Sequence, residues 1–451
     1  MKILDILPYI PYPLDSGGNQ AVFNMLVAMT QKHEVHLLLR VNSNYGQKCI
    51  NSLKEALPSL TIHTCDERVN VVAVDSEQNK SGVKYTLSMR FFDYIRRSME
   101  RKIDRRKRKL ESRMIISNIE RPQSGSRKEE EKKNNILGDL VRSNTTLYNF
   151  LPYISPKYIQ RVYEVTRMGF DVIQCEFYDT LELCNLLPKE SKRIFIHHEL
   201  RYVRNAIEME LFPEVTPLDT YTYNRYKYDE MASLSEFDVV VTLTETDKEL
   251  LLKENPKLNV YVSPAIVKYE ENPLTFTPLK REMVFVGSSE HFPNCDGLLW
   301  YCNEVAPILR ERGEEPHLYV TGYWRKEKQD IVKSTGANVE FVGFVEDLHS
   351  FINGKLSIVP IRIGSGMRMK ILDAVDSASP VLSTSKGCEG LNYIHGEDIL
   401  ISDNAEGFAN CIDDIFSDEA LQRRLSENSK KKLGQLFDSK RQSEIRMKLY
   451  S

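Results

Sequence analysis

Little in this chain of 451 residues is in excess, and each shortage excludes something. Its eight cysteines (Cys49, Cys65, Cys175, Cys184, Cys295, Cys302, Cys388 and Cys411) form no Cys-x-x-Cys pair and no Cys/His cluster at zinc spacing. That excludes a disulfide scaffold and a zinc module, and leaves buried or incidental thiols of a reducing compartment. With 21 Gly and 19 Pro the chain is neither collagen-like nor of low complexity. Neither charge sign dominates: 61 Lys+Arg against 64 Asp+Glu leave a net charge of -3, so bulk charge gives no reason to expect nucleic-acid binding. No apolar run approaches the ~18 residues that cross a bilayer. The opening MKILDILPYIPYP is broken by Asp5 and three prolines, and no small-residue cleavage site follows, so no leader is expected. A cytoplasmic globular protein is expected, and the length fits two domains better than one.

What is present is an alternation of short apolar runs with helix-period stretches. Met1–Leu7 reads as a buried strand. It is followed by the turn-rich Asp15-Ser16-Gly17-Gly18, by Val22, Met25, Leu26 and Met29 at helical spacing, and by a strand over His33–Leu39. Further strands are expected at Asp171–Cys175, Arg193–His197 and Asp238–Leu243, with a helix starting near Glu245. Pro264, Pro273 and Pro278 mark a linker, after which the pattern restarts. Strands are expected at Met283–Val286, His317–Thr321, Val339–Val342, Leu356–Pro360 and Pro380–Ser383, and helices at Cys295–Glu311 and Met367–Ala378. Two more helices and an amphipathic stretch, Ser439–Tyr450, close the chain. Two α/β domains of parallel strands place a cleft between them, at the carboxyl ends of the strands.

The most informative stretch is Leu356–Val375, a strand, then Gly364-Ser365-Gly366, then a helix. Small residues let backbone N–H groups approach an anion, and the helix dipole adds positive potential there. Arg368 and Lys370 fall in the first helical turn, where the dipole disfavours cations. An anionic ligand would offset that cost; a tight turn followed by surface cations is the competing reading.

Four ordered segments carry a resemblance: VFVGSSEHFPNCDGLLWYCNEVAPIL, VEFVGFVEDL, PIRIGSGMRMKILDAV and PVLSTSKGCEGL. They resemble the donor-binding half of the retaining family-four glycosyltransferases (glycosyl transferases group 1). PYPLDSGGNQ and VIQCEF…IFIHHELRYVR resemble the acceptor half. The resemblance implies the GT-B architecture: two Rossmann-like, doubly wound α/β domains with a cleft between them. The expected division is an acceptor-side domain over 1–270 with an insertion at about 66–156, a nucleotide-sugar domain over 271–436, and a C-terminal helix, 437–451, packing back on the first domain.

The resemblance also implies roles. Gly17 and Gly18 form the N-domain glycine loop, and His198, rather than its neighbour His197, sits near the reacting sugar. Gly287 and Ser288 close the pocket, and Val342, Gly343 and Phe344 hold the base. Gly364, Ser365 and Gly366 face the donor, Arg368 and Lys370 meet the diphosphate, and Asp373 takes the ribose position. Two departures stand out. Ser365 and Asp373 replace the two glutamates of the family's Glu–seven-residues–Glu motif, and Ser288–His291 replaces the usual Arg and Lys after the first C-domain strand. There is no Asp-x-Asp pair, so no metal and no other cofactor is expected, the cations doing the work of charge stabilisation. The implied reaction is transfer of a hexose-type sugar from a nucleotide diphosphate such as UDP to a glycan or lipid-linked acceptor, with retention of configuration, in polysaccharide or glycolipid assembly. A nucleotide-sugar 2-epimerase of the same fold and a non-catalytic sugar-nucleotide-binding scaffold subunit are the alternatives.

Other residues read as ordinary structure. Glu176 is expected to be a solvated or capping carboxylate rather than an acceptor contact. Trp300 is expected in the core, and Lys430–Lys432 on a solvated helix face. The run Arg90–Arg113 carries eleven Lys/Arg against four Asp/Glu, a local +7, with Ile95, Met99 and Ile103 at i, i+4, i+8. It reads either as a helix for an anionic membrane surface, placing the protein peripherally on the inner face of the cell membrane, or as a solvated charged helix. No nucleic-acid partner is expected.

Overall fold

The computed structural model describes residues 1–14, 16–68, 137–148, 154–267 and 274–451. The basic run at 90–113 and most of the expected insertion lie outside the described residues.

Among the described residues the first domain forms one parallel sheet of seven strands: β1 (Lys2–Ile6), β2 (Glu34–Val41), β3 (Thr61–Asp66), β4 (Val172–Glu176), β5 (Lys192–His197), β6 (Val239–Thr242) and β7 (Val260–Val262). Their spatial order, β3-β2-β1-β4-β5-β6-β7, reverses direction at β1/β4, as in a doubly wound sheet. The central strands are apolar on both faces: Ile3, Leu4 and Ile6 of β1 and Ile194, Phe195 and Ile196 of β5 are fully buried. A parallel sheet covered on both sides by helices requires this.

The covering helices are α1 (Gly17–Thr30), α2 (Asn44–Ala56), α3 (Pro156–Thr166), α4 (Arg201–Glu210), α5 (Pro217–Leu234) and α6 (Glu245–Glu254). Several start on a side-chain cap. Ser16 Oγ accepts from Asn19 N at 3.2 Å, Ser43 Oγ from Gly46 N at 3.0 Å, and Thr216 and Asp219 form a reciprocal capping box. Residues 137–144, helical at the described edge of the insertion, pack Leu137, Leu140 and Val141 into a core shared with the second domain.

The second domain repeats the plan with six parallel strands: β8 (Glu282–Val286), β9 (His317–Thr321), β10 (Val339–Gly343), β11 (Leu356–Val359), β12 (Val381–Ser383) and β13 (Leu400–Ile401), in the order β10-β9-β8-β11-β12-β13. All four residues of β11 are buried. The helix expected over Cys295–Glu311 begins earlier and is not uniform. It consists of α7 (Phe292–Trp300), one π turn (Tyr301–Val305) and α8 (Ala306–Glu311). Pro307 has no N–H to continue the α ladder, which explains the local rewinding. Trp300 is core, edge-on to Phe408 at 5.4 Å. The remaining helices are α9 (Lys326–Ser334), α10 (Leu348–Ile352), α11 (Met369–Asp376), α12 (Ala405–Ser417), α13 (Glu419–Leu436) and α14 (Ser439–Met447).

The reading of Lys430–Lys432 as a solvated face holds for the exposed Lys431 and is corrected for Lys430 and Lys432. Lys430 Nζ donates to the carbonyls of Leu274 (2.7 Å) and Asp376 (2.9 Å), and Lys432 Nζ lies 2.5 Å from Asp398 Oδ2. These contacts fasten α13 to its own domain. Helix α14 crosses to the first domain. Arg446 Nε donates to Ser263 Oγ at 2.7 Å, Tyr261 OH to Ile445 O at 2.9 Å, and Met447, Leu449 and Tyr450 join the first sheet's core. Of the eight cysteines, all unpaired, seven are buried and Cys411 is half-buried. Among the described residues no helix is long and apolar enough to cross a membrane.

Candidate active site

Both sheets are wholly parallel, so the carboxyl ends of their strands gather the loops where side chains and free amides are available. The loops after β1, β5 and β6 meet those after β8, β11 and β12.

On the C-domain side, β11 runs into Gly364-Ser365-Gly366 and then α11. Gly364 and Gly366 hold φ of +113° and +80°, conformations glycine adopts without strain. Both are also approached closely: a Cβ on Gly364 would lie 2.7 Å from Glu199 Oε1, and one on Gly366 only 2.1 Å from His198 O. The glycines therefore let the two domains touch. Among the described residues, the amides of Gly364, Ser365 and Gly366 donate to no protein acceptor, which leaves a row of N–H groups at the start of α11. Ser365 Oγ accepts from Leu200 N at 2.7 Å, so the side chain at the first glutamate position ties the domains together.

Arg368 is the N-cap residue of α11. Its guanidinium curls back over the loop, donating to the carbonyls of Ser365 and, at 3.2 Å, Gly366. Lys370 Nζ donates to Asn294 Oδ1 at 2.7 Å and lies 4.8 Å from the centre of the Phe285 ring. Burial, then the neighbouring Arg368 cation, push Lys370 down to about 7 against the pull of Asp373. Burial likewise raises the Asp373 carboxyl to about 6, which His349 opposes. Asn294, which the sequence did not single out, also donates to Ser288 O at 2.9 Å and so joins the Gly287–Ser288 turn to Lys370. Gly343 ends β10, and Phe344 just after it is 72% exposed, an unusual position for a large aromatic ring.

On the N-domain side, Gly17 opens α1 directly against α11; a Cβ there would lie 2.7 Å from Met369 Cβ. The two histidines after β5 have different environments. His197 is buried, its Nε2 2.8 Å from Glu230 Oε1, and the same carboxylate accepts the amides of Arg201 (3.1 Å) and Tyr202 (2.9 Å) that start α4. His197 is thus a helix-anchoring residue. His198 retains 14% side-chain exposure, and its Nε2 lies 2.7 Å from Glu176 Oε2. Its ring stacks on Phe177 with centroids 3.8 Å apart and planes within 7°. The reading of Glu176 as a solvated or capping carboxylate is corrected: it is 1% exposed and holds the cleft histidine.

Glu199 is the principal residue that the sequence left without a role. Burial opposes its ionisation, but Arg204 and the other cations around it outweigh that and hold it at about 2. Arg204 Nη1 donates to Glu199 Oε2 at 3.1 Å and its Nε to Glu208 Oε1 at 2.8 Å. The only sequence signal was its place in the His-Glu-Leu-Arg string. Among the described residues no three His, Cys, Asp or Glu side chains come together as a metal site.

Residues 280–418 match the family model described as Glycosyl transferases group 1, so the second domain carries that family's pattern. An uncharacterized 44.6 kDa protein in the cps region of Klebsiella pneumoniae is 25% identical over 322 residues, covering 68% of this chain and 80% of that protein. Among solved structures, TarM of S. aureus, crystallised with fondaparinux, alpha-GlcNAc-glycerol and UDP, superposes with a TM-score of 0.63 at 10% identity over the full length of both chains. Sucrose-phosphate synthase of Thermosynechococcus elongatus gives 0.63 at 14% identity, over 100% of this chain and 98% of the other. HepE of Anabaena, in complex with UDP and glucose, gives 0.55 at 12% identity over 100% of both. The fold is GT-B: two doubly wound domains facing each other across a cleft.

Proposed function

We propose that the protein is a glycosyltransferase that moves a sugar from a nucleotide diphosphate to a glycan or lipid-linked acceptor, with retention of configuration and without a metal. One observation carries this reading. The Gly364–Gly366 amides, which have no protein acceptor among the described residues, the half-buried Arg368 and Lys370, and His198 of the opposite domain converge in a single cleft. Charge develops on a departing diphosphate as the glycosidic bond breaks. Amides at a helix start, the Arg368 cation and Lys370 once protonated are suited to stabilise it. His198 then faces the sugar from the other domain, and Phe344 offers a face to the base. The neighbours solved with UDP make UDP-sugars the first donors to test, and the cps-region relative supports a role in polysaccharide assembly.

The test is to incubate the purified protein with UDP-, GDP-, ADP- and dTDP-sugars and follow release of nucleotide diphosphate, with and without EDTA. Slow release from one donor in the absence of acceptor, unchanged by EDTA, is the expected result. Donor binding without any release would instead favour a scaffold subunit. Residues 90–113 are proposed to bring the cleft to an anionic membrane that holds a lipid-linked acceptor. Sedimentation with anionic liposomes should weaken as salt is raised.

A further inference from the structure

Tyr450 follows the crossing helix α14 and is 1% exposed, yet it communicates with the cleft. Its hydroxyl donates to Gln174 Oε1 at 2.6 Å, and Gln174 Nε2 donates to Glu176 Oε1 at 2.7 Å. The other oxygen of that carboxylate, Oε2, lies 2.7 Å from His198 Nε2. Gln174 is fully buried and Glu176 is 1% exposed, so water has little access to either.

The order of donors follows from the chemistry. A carboxylate only accepts, so Gln174 must turn its NH2 group towards Glu176 and its carbonyl towards Tyr450, which therefore donates. Glu176 in turn accepts Nε2–H of His198, and the proton on that nitrogen leaves Nδ1 as the ring's acceptor. Among the described residues Nδ1 has no protein partner. A second observation points the same way. Phe177, next to Glu176, holds φ at +66°, a conformation that costs a non-glycine residue free energy, and its ring lies flat against His198. Strain in one residue and a directed chain of hydrogen bonds through three others both serve the placement of one imidazole.

We infer that Tyr450, Gln174 and Glu176 are positioning residues that fix the tautomer and orientation of His198, so that docking of α14 completes the site from the far side of the sheet. What His198 does rests on the transferase reading above; how it is held rests on this geometry alone. Without the Tyr450 hydroxyl, the buried Gln174 carbonyl loses its donor, and the Gln174–Glu176 pair that holds the histidine is left free to shift.

The experiment uses the full chain with 15N-labelled histidine, the His198 ring signals being identified by their loss in His198→Asn. Wild type is expected to show Nε2 protonated and Nδ1 not. Tyr450→Phe should shift and broaden the His198 ring signals as its hold on the ring loosens. It should also lower kcat by roughly 5- to 30-fold, about what one lost hydrogen bond and an unpaired buried carbonyl imply, with donor KM within about twofold. Tyr261→Phe is the control, since it removes a bond that docks the same helix, to Ile445 O, without touching the chain to His198. Unchanged His198 signals in Tyr450→Phe, or equal effects from Tyr261→Phe, would overturn the inference. Signals that change in Tyr450→Phe, in a protein that transfers no sugar from any nucleotide, would sustain the inference and remove the transferase reading.

Discussion

Replacing Arg368 by alanine separates what the guanidinium does for the loop from what it does for a ligand. In the loop it donates to the carbonyls of Ser365 and Gly366. The Gly366 bond is 3.2 Å long. Together they are worth about 1–2 kcal/mol, and their loss should lower the melting temperature by only a few degrees. The cation is a larger matter. Burial, then Arg204, pull its basicity below the usual arginine range against Glu199, Glu389 and Asp247, so its charge is screened less than that of a surface arginine. A preorganised donor of this kind, aimed at charge that develops in the transition state, contributes about 3–4 kcal/mol. Arg368→Ala should then cut kcat by about two orders of magnitude or more. Arg368→Lys, which keeps the charge but loses the planar fork, should fall between alanine and wild type. The assay is steady-state release of nucleotide diphosphate with thermal unfolding measured in parallel. A variant within about threefold of wild type in kcat, at unchanged stability, would refute the assignment of Arg368 to the leaving group.

Three further outcomes follow from the same geometry. His197→Ala leaves Glu230 buried beside only the two α4 amides, so it should destabilise the fold by about 2–3 kcal/mol. His198→Ala should instead reduce sugar transfer with little change in unfolding temperature or nucleotide affinity; the reverse pattern would exchange the two assignments. Lys370 gains its proton only as pH falls through about 7. Calorimetric affinity for UDP should therefore strengthen, by up to roughly tenfold, between about pH 8 and pH 6, and Lys370→Met should remove most of that slope. Equal slopes in the two proteins would place Lys370 away from the ligand. Gly366→Ala would press a Cβ to 2.1 Å from His198 O at a φ of +80°, so it should open the domain contact and abolish transfer. Gly396→Ala, at φ +75° with nothing within 4 Å, should cost only the local backbone strain. Scattering that showed no change in domain separation for Gly366→Ala would contradict the close approach.

Much of the fold was legible because parallel strands buried on both faces are written as short continuous apolar runs. Ile194–Ile196 and Leu356–Val359 could hardly be anything else, and the glycine loop before α11 marks itself. The likeness of the second domain to glycosyl transferases group 1 also lay in linear order, since its loops follow its strands one by one. Elements held by partners distant in sequence were harder to find. The edge strands β7 and β13 are only three and two residues long, and α5 has no strong apolar stripe to announce it. The π turn in the helix after β8 depends on how one proline rewinds the ladder.

At the site, the sequence supplied residue types and spacing: Gly364-Ser365-Gly366, Arg368, Lys370, and two adjacent histidines. The family resemblance chose His198 over His197, but the residue pattern alone did not, because neighbouring side chains at a strand end point to opposite sides and only the packed sheet says which side is core. Glu230 takes His197 inward, and Glu176, Gln174 and Tyr450 hold His198 from behind. Residues 174, 176, 198 and 450 meet only because a parallel sheet sets β4 beside β5 and the crossing helix returns to the first domain. Sequence fixes what each side chain can donate or accept. The charge each group carries, and the partner it finds, depend on desolvation and on contacts between residues hundreds of positions apart, and these exist only once the two domains have closed on each other.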